Sequence, residues 1–349
     1  MKKQHILVIR FSALGDVAMV VPVVWSLAHQ YPDLRITVLS RAFARPLFED
    51  ILPNVGFMEA DLKREYKGLR GLNALYRRLA AKQFTAIADL HNVLRSEFLR
   101  MRFHLGRYHV AHIDKHRKGR RRLTSLRHKE LVQQPTSFEN YIRVFERLGY
   151  PVTIDFHSIF PPEGGNLNLL PIPMHVKSQP DQWIGIAPFA AHKGKVYPPQ
   201  LMQQVIQQLV QQHPKARIFL FGKGAEEDHW FTQWCQTWPQ CIAVSKQLDS
   251  MHQELILMSH LNVMLSMDSA NMHLASLTGI PVVSIWGATH PYAGFMGWGQ
   301  SPDNAIQTDL DCRPCSIYGQ KPCKRGDYVC LNNIKPETIV EKLNTFITH

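Results

Sequence analysis

The 349-residue chain has no long apolar run. Its longest, Val17–Leu27, contains Pro22 and Ser26 and falls far short of the roughly 20 residues that cross a bilayer as a helix. The basic start is followed by apolar residues interrupted at Arg10, without the apolar core and small-residue cleavage site of a secretory signal. A soluble, cytoplasmic protein is expected. Internal repeats and low-complexity tracts are absent, and a hydrophobic content of 45% leaves no case for extensive disorder. No Gly-x-Gly-x-x-Gly follows the first apolar strand, which argues against a dehydrogenase.

Acids are scarce in one place. Between Arg100 and Lys129 eleven Lys/Arg face the single acid Asp114, so this window carries +10 of the chain's net +12. Blocks of one sign often form binding surfaces. Arg117, Lys118, Arg120, Arg121 and Arg122 are candidates to meet the phosphates of a lipid-linked ligand or an anionic membrane surface, the alternative being a solvated face. Nucleic acid is disfavoured, because only Phe103 and Tyr108 interleave the charges and no nucleic-acid-binding module accompanies them.

Cysteine is also scarce, six in all, yet Cys312, Cys315, Cys323 and Cys330 fall within nineteen residues. In a reducing compartment four thiolates in one loop are candidate ligands for a structural zinc, although the second C-x2-C is missing. Buried thiols or a redox-labile loop are the alternatives.

The hydrophobic pattern alternates twice. Strands are expected at Ile6–Ile9, Arg35–Leu39, Val55–Glu59 and Ala86–Asp89, with helices over Val17–Gln30, Ala42–Ile51, Leu69–Lys82 and Thr136–Leu148. Phe160–Val176, rich in Pro, Gly and Asn, is the best linker. Beyond it, strands at Trp183–Ala187, Arg217–Phe221, Ile242–Val244, Val263–Ser266 and Val282–Ile285 alternate with helices, and Pro336–Ile347 closes the chain as a helix. This predicts an α/β protein with two parallel-sheet domains, 1–165 and 166–334, facing a central cleft. Residues 335–349 form a terminal helix able to pack back toward the N-terminal domain.

Two loops carry the chemistry. In "RFSALGDVAMVVP" a lone Gly15 precedes Asp16, an acid where a phosphate loop would be neutral; it either caps the following helix or acts on a substrate. In "MDSANMHLASLTGIPVVSIWG" a strand ends at Asp268-Ser269, good N-cap residues, before a small-residue helix. Free N–H groups of Ser269, Ala270 and Asn271 would then form an anion site suited to a diphosphate, with His273 one turn on.

Together these two stretches resemble glycosyltransferase family 9, the heptosyltransferase family of bacterial lipopolysaccharide assembly. "APFAAHKGKVYPP" resembles the family's lysine followed by an aromatic and a proline, and singles out Lys195, with Lys193 a rival. "FLFGKGAEE" singles out Glu226, with Glu227 a rival. The resemblance implies a GT-B fold of two Rossmann-like domains. It implies a nucleotide-diphosphate sugar such as ADP-heptose as donor, a lipid-linked glycan as acceptor, inversion at the anomeric carbon and no catalytic metal. It assigns Asp16 as the general base, since inverting transfer needs one carboxylate to take the acceptor proton. Lys195 would neutralise the departing diphosphate. Glu226, Asp268, Ser269, Ala270, Asn271 and His273 would hold the donor. Where the family usually reads Asp-Thr-Gly-Leu-x-His, this chain has Asp268-Ser269-Ala270-Asn271-Met272-His273, so the sugar pocket has its own floor. Another GT-B activity, such as nucleotide-sugar epimerisation, and a non-catalytic binder of anionic polymers are the competing readings.

Overall fold

The computed structural model describes residues 4–172, 174, 176–177 and 181–347. Pro173 and His175, within the expected linker, lie outside them, as do Thr348 and His349 of the expected terminal segment. The chain divides into two compact units. The first comprises residues up to His116 together with Pro135–Phe156; the second comprises Arg117–Gln134 and the chain from His157 onward.

The first unit is built on five parallel strands: β1 (His5–Ile9), β2 (Arg35–Ser40), β3 (Val55–Glu59), β4 (Ala86–Asp89) and β5 (His109–His112). Their spatial order is β3-β2-β1-β4-β5. β1 is buried along its whole length because helices cover both faces, which is why its sequence is a continuous apolar run rather than an alternation. One face packs Leu7, Ile9 and Ile87 against Leu72, Leu75 and Leu79 of the helix Gly68–Ala80 and Leu99 and Phe103 of the helix Leu94–Leu105. The expected helix over Val17–Gln30 is two helices, Leu14–Ala18 and Val21–Gln30, with Pro22 in the first turn of the second, where its missing N–H is harmless. Ala42–Leu47 is a 3-10 turn, tightened around the internal Pro46.

The second unit repeats the plan with one strand more: β6 (Trp183–Ala187), β7 (Arg217–Leu220), β8 (Cys241–Ala243), β9 (Val263–Met267), β10 (Val282–Trp286) and β11 (Ala305–Gln307). The order is β11-β10-β9-β6-β7-β8, again with neighbouring strands parallel. The terminal helix belongs to the second unit. Pro336–Ile347 buries Ile339, Val340, Leu343 and Ile347 in the second unit's core beside the helix Pro199–Gln212. Polar ties reinforce it: Tyr197 donates to the Ile334 carbonyl (2.8 Å) and Gln208 to Glu337 (2.9 Å).

Leu343→Ala should therefore destabilise the second unit by about 2–5 kcal/mol through the cavity it leaves. Hydrogen exchange would show β6 and β9 amides losing protection while those of β1 and β4 keep theirs.

Candidate functional site

In a doubly wound sheet the chain reverses its direction of travel between two neighbouring strands, and the loops at their carboxyl ends diverge to leave room for a ligand. In the first unit that switch lies between β1 and β4, in the second between β6 and β9. Both chemical loops emerge there.

After β1 the backbone runs through Arg10 and Phe11 into the short helix Leu14–Ala18, where Asp16 occupies the third position. One carboxylate oxygen accepts from the Ala13 N–H (3.1 Å), and the other lies 2.9 Å from Arg10 Nη2. Asp16 thus does cap its helix, and one oxygen is held by a nearly buried guanidinium. Arg10 in turn donates to the Leu90 carbonyl beyond β4 (2.7 Å), spanning the switch.

Sequence reasoning missed His91 beside it. Its Nδ1 accepts from the Phe11 N–H at 3.4 Å, so Nε2 carries the proton of the neutral ring. Burial, then the Arg10 and Lys115 charges, hold its pKa down at about 3. Asp89, fully buried at the end of β4, accepts from the His91 and Asn92 N–H groups and from Arg100. A pocket of about 440 Å³ opens in this unit between Ser12, His91 and the cations Arg41, Lys63 and Arg95.

In the second unit the loop after β6 carries Lys195 to the end of β9, where its Nζ lies 2.9 Å from Asp268 Oδ2. Both side chains are largely buried, 15% and 5% exposed. The rival Lys193 sits over the Tyr328 ring instead, 5.1 Å from its centroid. Gly319, at φ +81°, lies against the Lys195 stem so closely that a Cβ there would come within 2.5 Å of it. Ser269 starts the helix Ala270–Leu277 without bonding its own amides by its side chain; its Oγ contacts Ser266 Oγ at 3.3 Å. His273 is buried one turn on.

Residues 72–324 match the family model described as glycosyltransferase family 9 (heptosyltransferase). The chain belongs to that family. Asp16 precedes the matched residues. Lipooligosaccharide heptosyltransferase 2 of Campylobacter jejuni is 30% identical over 81 residues, covering 23% of this chain and 24% of that relative. The chain thus matches about a quarter of this relative's length. Two solved structures share the fold at low identity. E. coli heptosyltransferase WaaC with ADP-2-deoxy-2-fluoro heptose has a TM-score of 0.69 and 15% identity, covering 98% of this chain and 99% of that one. The family 9 glycosyl transferase of Veillonella parvula has a TM-score of 0.73 and 18% identity, covering 100% and 98%. The two Rossmann-like sheets are accordingly those of the GT-B class.

The remaining expected residues of this family 9 chain are placed less uniformly. Glu226 is exposed on the first turn of the helix Ala225–Thr237, whereas Glu227 folds back over the Gly222–Gly224 loop, where a Cβ on Gly224 would meet its carboxylate at 2.6 Å. Ala270 and Asn271 are half-buried at the start of their helix. Arg117, Lys118, Arg121 and Arg122 are exposed on the helix Arg117–Leu123. Arg120 is engaged, donating to Tyr318 Oη (2.9 Å) and lying over the Phe295 ring (4.8 Å). Lys129 donates to the Asp311 and Arg313 carbonyls, so part of the basic window serves packing within the second unit.

The four cysteines expected as zinc ligands lie within electrostatic reach of one another, and burial and their mutual charges raise the Cys315 and Cys330 thiols. Among the described residues no three His, Cys, Asp or Glu side chains gather as a metal site. Cys330 is buried in the apolar core, its thiol pushed up to about 11, while Cys323 lies 4.0 Å from an Asp327 oxygen and Cys315 3.8 Å from the Ala288 carbonyl. Cys312 is a free, half-buried thiol. Arg313 organises this loop: its buried guanidinium donates to the carbonyls of Trp286, Gly287, Thr289 and Thr308 and to the Gln307 side chain.

The His91 shift has a signed consequence. The unfolded ring, with its ordinary value of 6.5, binds more protons than the folded one below that pH, so stability falls as pH drops from about 6.5 toward about 3. Denaturant titrations of the parent and His91→Gln should diverge across this window by up to about 1.4 kcal/mol per pH unit, the parent losing more.

Proposed function

We propose that the protein transfers heptose, or a related sugar, from an ADP- or similar nucleotide-diphosphate sugar to a lipopolysaccharide core or lipid A-type acceptor, with inversion. One observation carries this reading: each unit holds its reacting group in an ion pair at its own switch point, Asp16 with Arg10 and Lys195 with Asp268.

The acceptor hydroxyl must lose its proton as it attacks the anomeric carbon from the face opposite the leaving group. Asp16 takes it, with Arg10 and the Ala13 N–H fixing the carboxylate's orientation. Charge then builds on the departing diphosphate. Lys195, kept in place by Asp268, faces that charge in a low-dielectric surrounding where it counts most, and the amides of Ser269, Ala270 and Asn271 add their dipoles. No metal is required for this scheme. Asp268 also accepts from sugar hydroxyls, His273 donates to phosphate or sugar oxygens, and Glu226 accepts from the ribose. The pocket lined by Arg41, Lys63 and Arg95 suits an acidic acceptor. The presence of an ADP-heptose analogue in the E. coli WaaC structure supports the donor class. The exposed Arg117, Lys118, Arg121 and Arg122 fit acceptor phosphates or an anionic membrane surface. Among the described residues no helix is long and apolar enough to cross a membrane, in keeping with work at the cytoplasmic face of the inner membrane.

Asp16→Asn should lower turnover about 10²–10⁴-fold while leaving the thermal shift given by ADP intact. Lys195→Ala should weaken both. Transfer by Asp16→Asn at the parental rate would end the base assignment. Conversion of the donor without any acceptor would identify an epimerase instead.

A further inference from the structure

The helix Leu94–Leu105 escaped sequence reasoning because it is apolar on two sides. Leu99 and Phe103 are fully buried against the first unit's sheet. At 100° per residue Leu94, Met101 and Leu105 share the opposite side, and they are 85%, 52% and 71% exposed. Phe98, between the two sides, packs against the core. Three large apolar side chains aligned on the outside of a helix are not core. The stripe also has a charged border. Arg95 and Arg102 follow one edge and Arg107 lies just past the helix end, while the one acid, Glu97, lies on the other edge within 4.0 Å of Arg100. The helix begins at the pocket of the first unit, which Leu94 and Arg95 help to line.

We infer that the Leu94–Met101–Leu105 stripe of this helix inserts into the surface of an anionic bilayer, with exposed Arg107 at headgroup level and Arg102, stacked 4.7 Å over the Tyr76 ring, behind it. Aliphatic tips backed by arginines match the interfacial zone, where short apolar side chains enter the acyl boundary and cations meet lipid phosphates. A second copy of the chain is a poorer occupant, because antiparallel two-fold pairing of this face would set one arginine edge against the other. The inference rests on the transferase reading in one respect: an acceptor anchored in that bilayer would present its sugar at the pocket where the helix begins. This contact is distinct from the Arg117–Leu123 helix, which belongs to the other unit.

The test is co-sedimentation of the full chain with vesicles, measured without donor or acceptor so that it stands apart from catalysis. Vesicles of equal parts phosphatidylglycerol and phosphatidylcholine should bind the protein, and phosphatidylcholine alone should bind it weakly. Met101→Gln/Leu105→Gln should reduce binding to the anionic vesicles roughly tenfold or more, from the apolar area no longer transferred. Both positions lie outside the pocket lining, so transfer to a deacylated lipopolysaccharide core oligosaccharide should be unchanged. Failure of that transfer in the parent as well would count against the proposed function and leave the vesicle result standing. Parental vesicle binding by the double variant, or no preference for anionic vesicles, would overturn the inference. So would a parental dimer, seen by sedimentation velocity, that the double substitution dissolves.

Discussion

A charged group carried to the end of a buried parallel strand has to be compensated there, because the strand's neighbours leave it little water. Both units obey this constraint in the same way. Arg10 leaves β1 nearly buried and finds Asp16 and a carbonyl beyond β4; Lys195 returns from the loop after β6 and finds Asp268 at the end of β9. Each pair fastens the two strands whose loops part at the switch, so the groups proposed to do chemistry are also those that shape the opening. Removing either partner leaves a charge without its counter-ion, and buried pairs are strongly destabilised by such half-deletions.

Much of this architecture is legible in the sequence. Apolar runs such as Ile6–Ile9 and Val263–Met267 are too short for helices and too continuous for a half-wet sheet, so a parallel sheet is the remaining solution. The carboxylate after the first strand and the Asp-Ser opening of the later helix were legible because residues of that chemistry have few reasons to end an apolar strand. What stayed hidden depends on distance along the chain. β5 and β11 are short edge strands, His-Val-Ala-His and Ala-Ile-Gln, whose pairing is decided by the neighbours they meet. His91 reads as one histidine among eighteen until the Phe11 amide is placed against it.

The cysteine loop shows a different limit of reading by spacing. Spacing proposes ligands, but convergence is a property of three dimensions. Here a single guanidinium collects four carbonyls and an amide oxygen. Arg313 sits between two of those cysteines and drew no notice, since an arginine close in sequence to Asp309 and Asp311 reads as half of a surface ion pair.

The excursion of Arg117–Gln134 into the second unit bears on how the polypeptide is made. A ribosome releases this stretch long before its anchors exist: the carbonyl of Asp311, which Lys129 will clasp, emerges 182 residues later. Until then the arginine-rich loop hangs from a nascent half-molecule with nothing to close over it, open to proteases and to any polyanion in reach. The order of translation thus gives this one segment a period of vulnerability that the finished enzyme no longer displays.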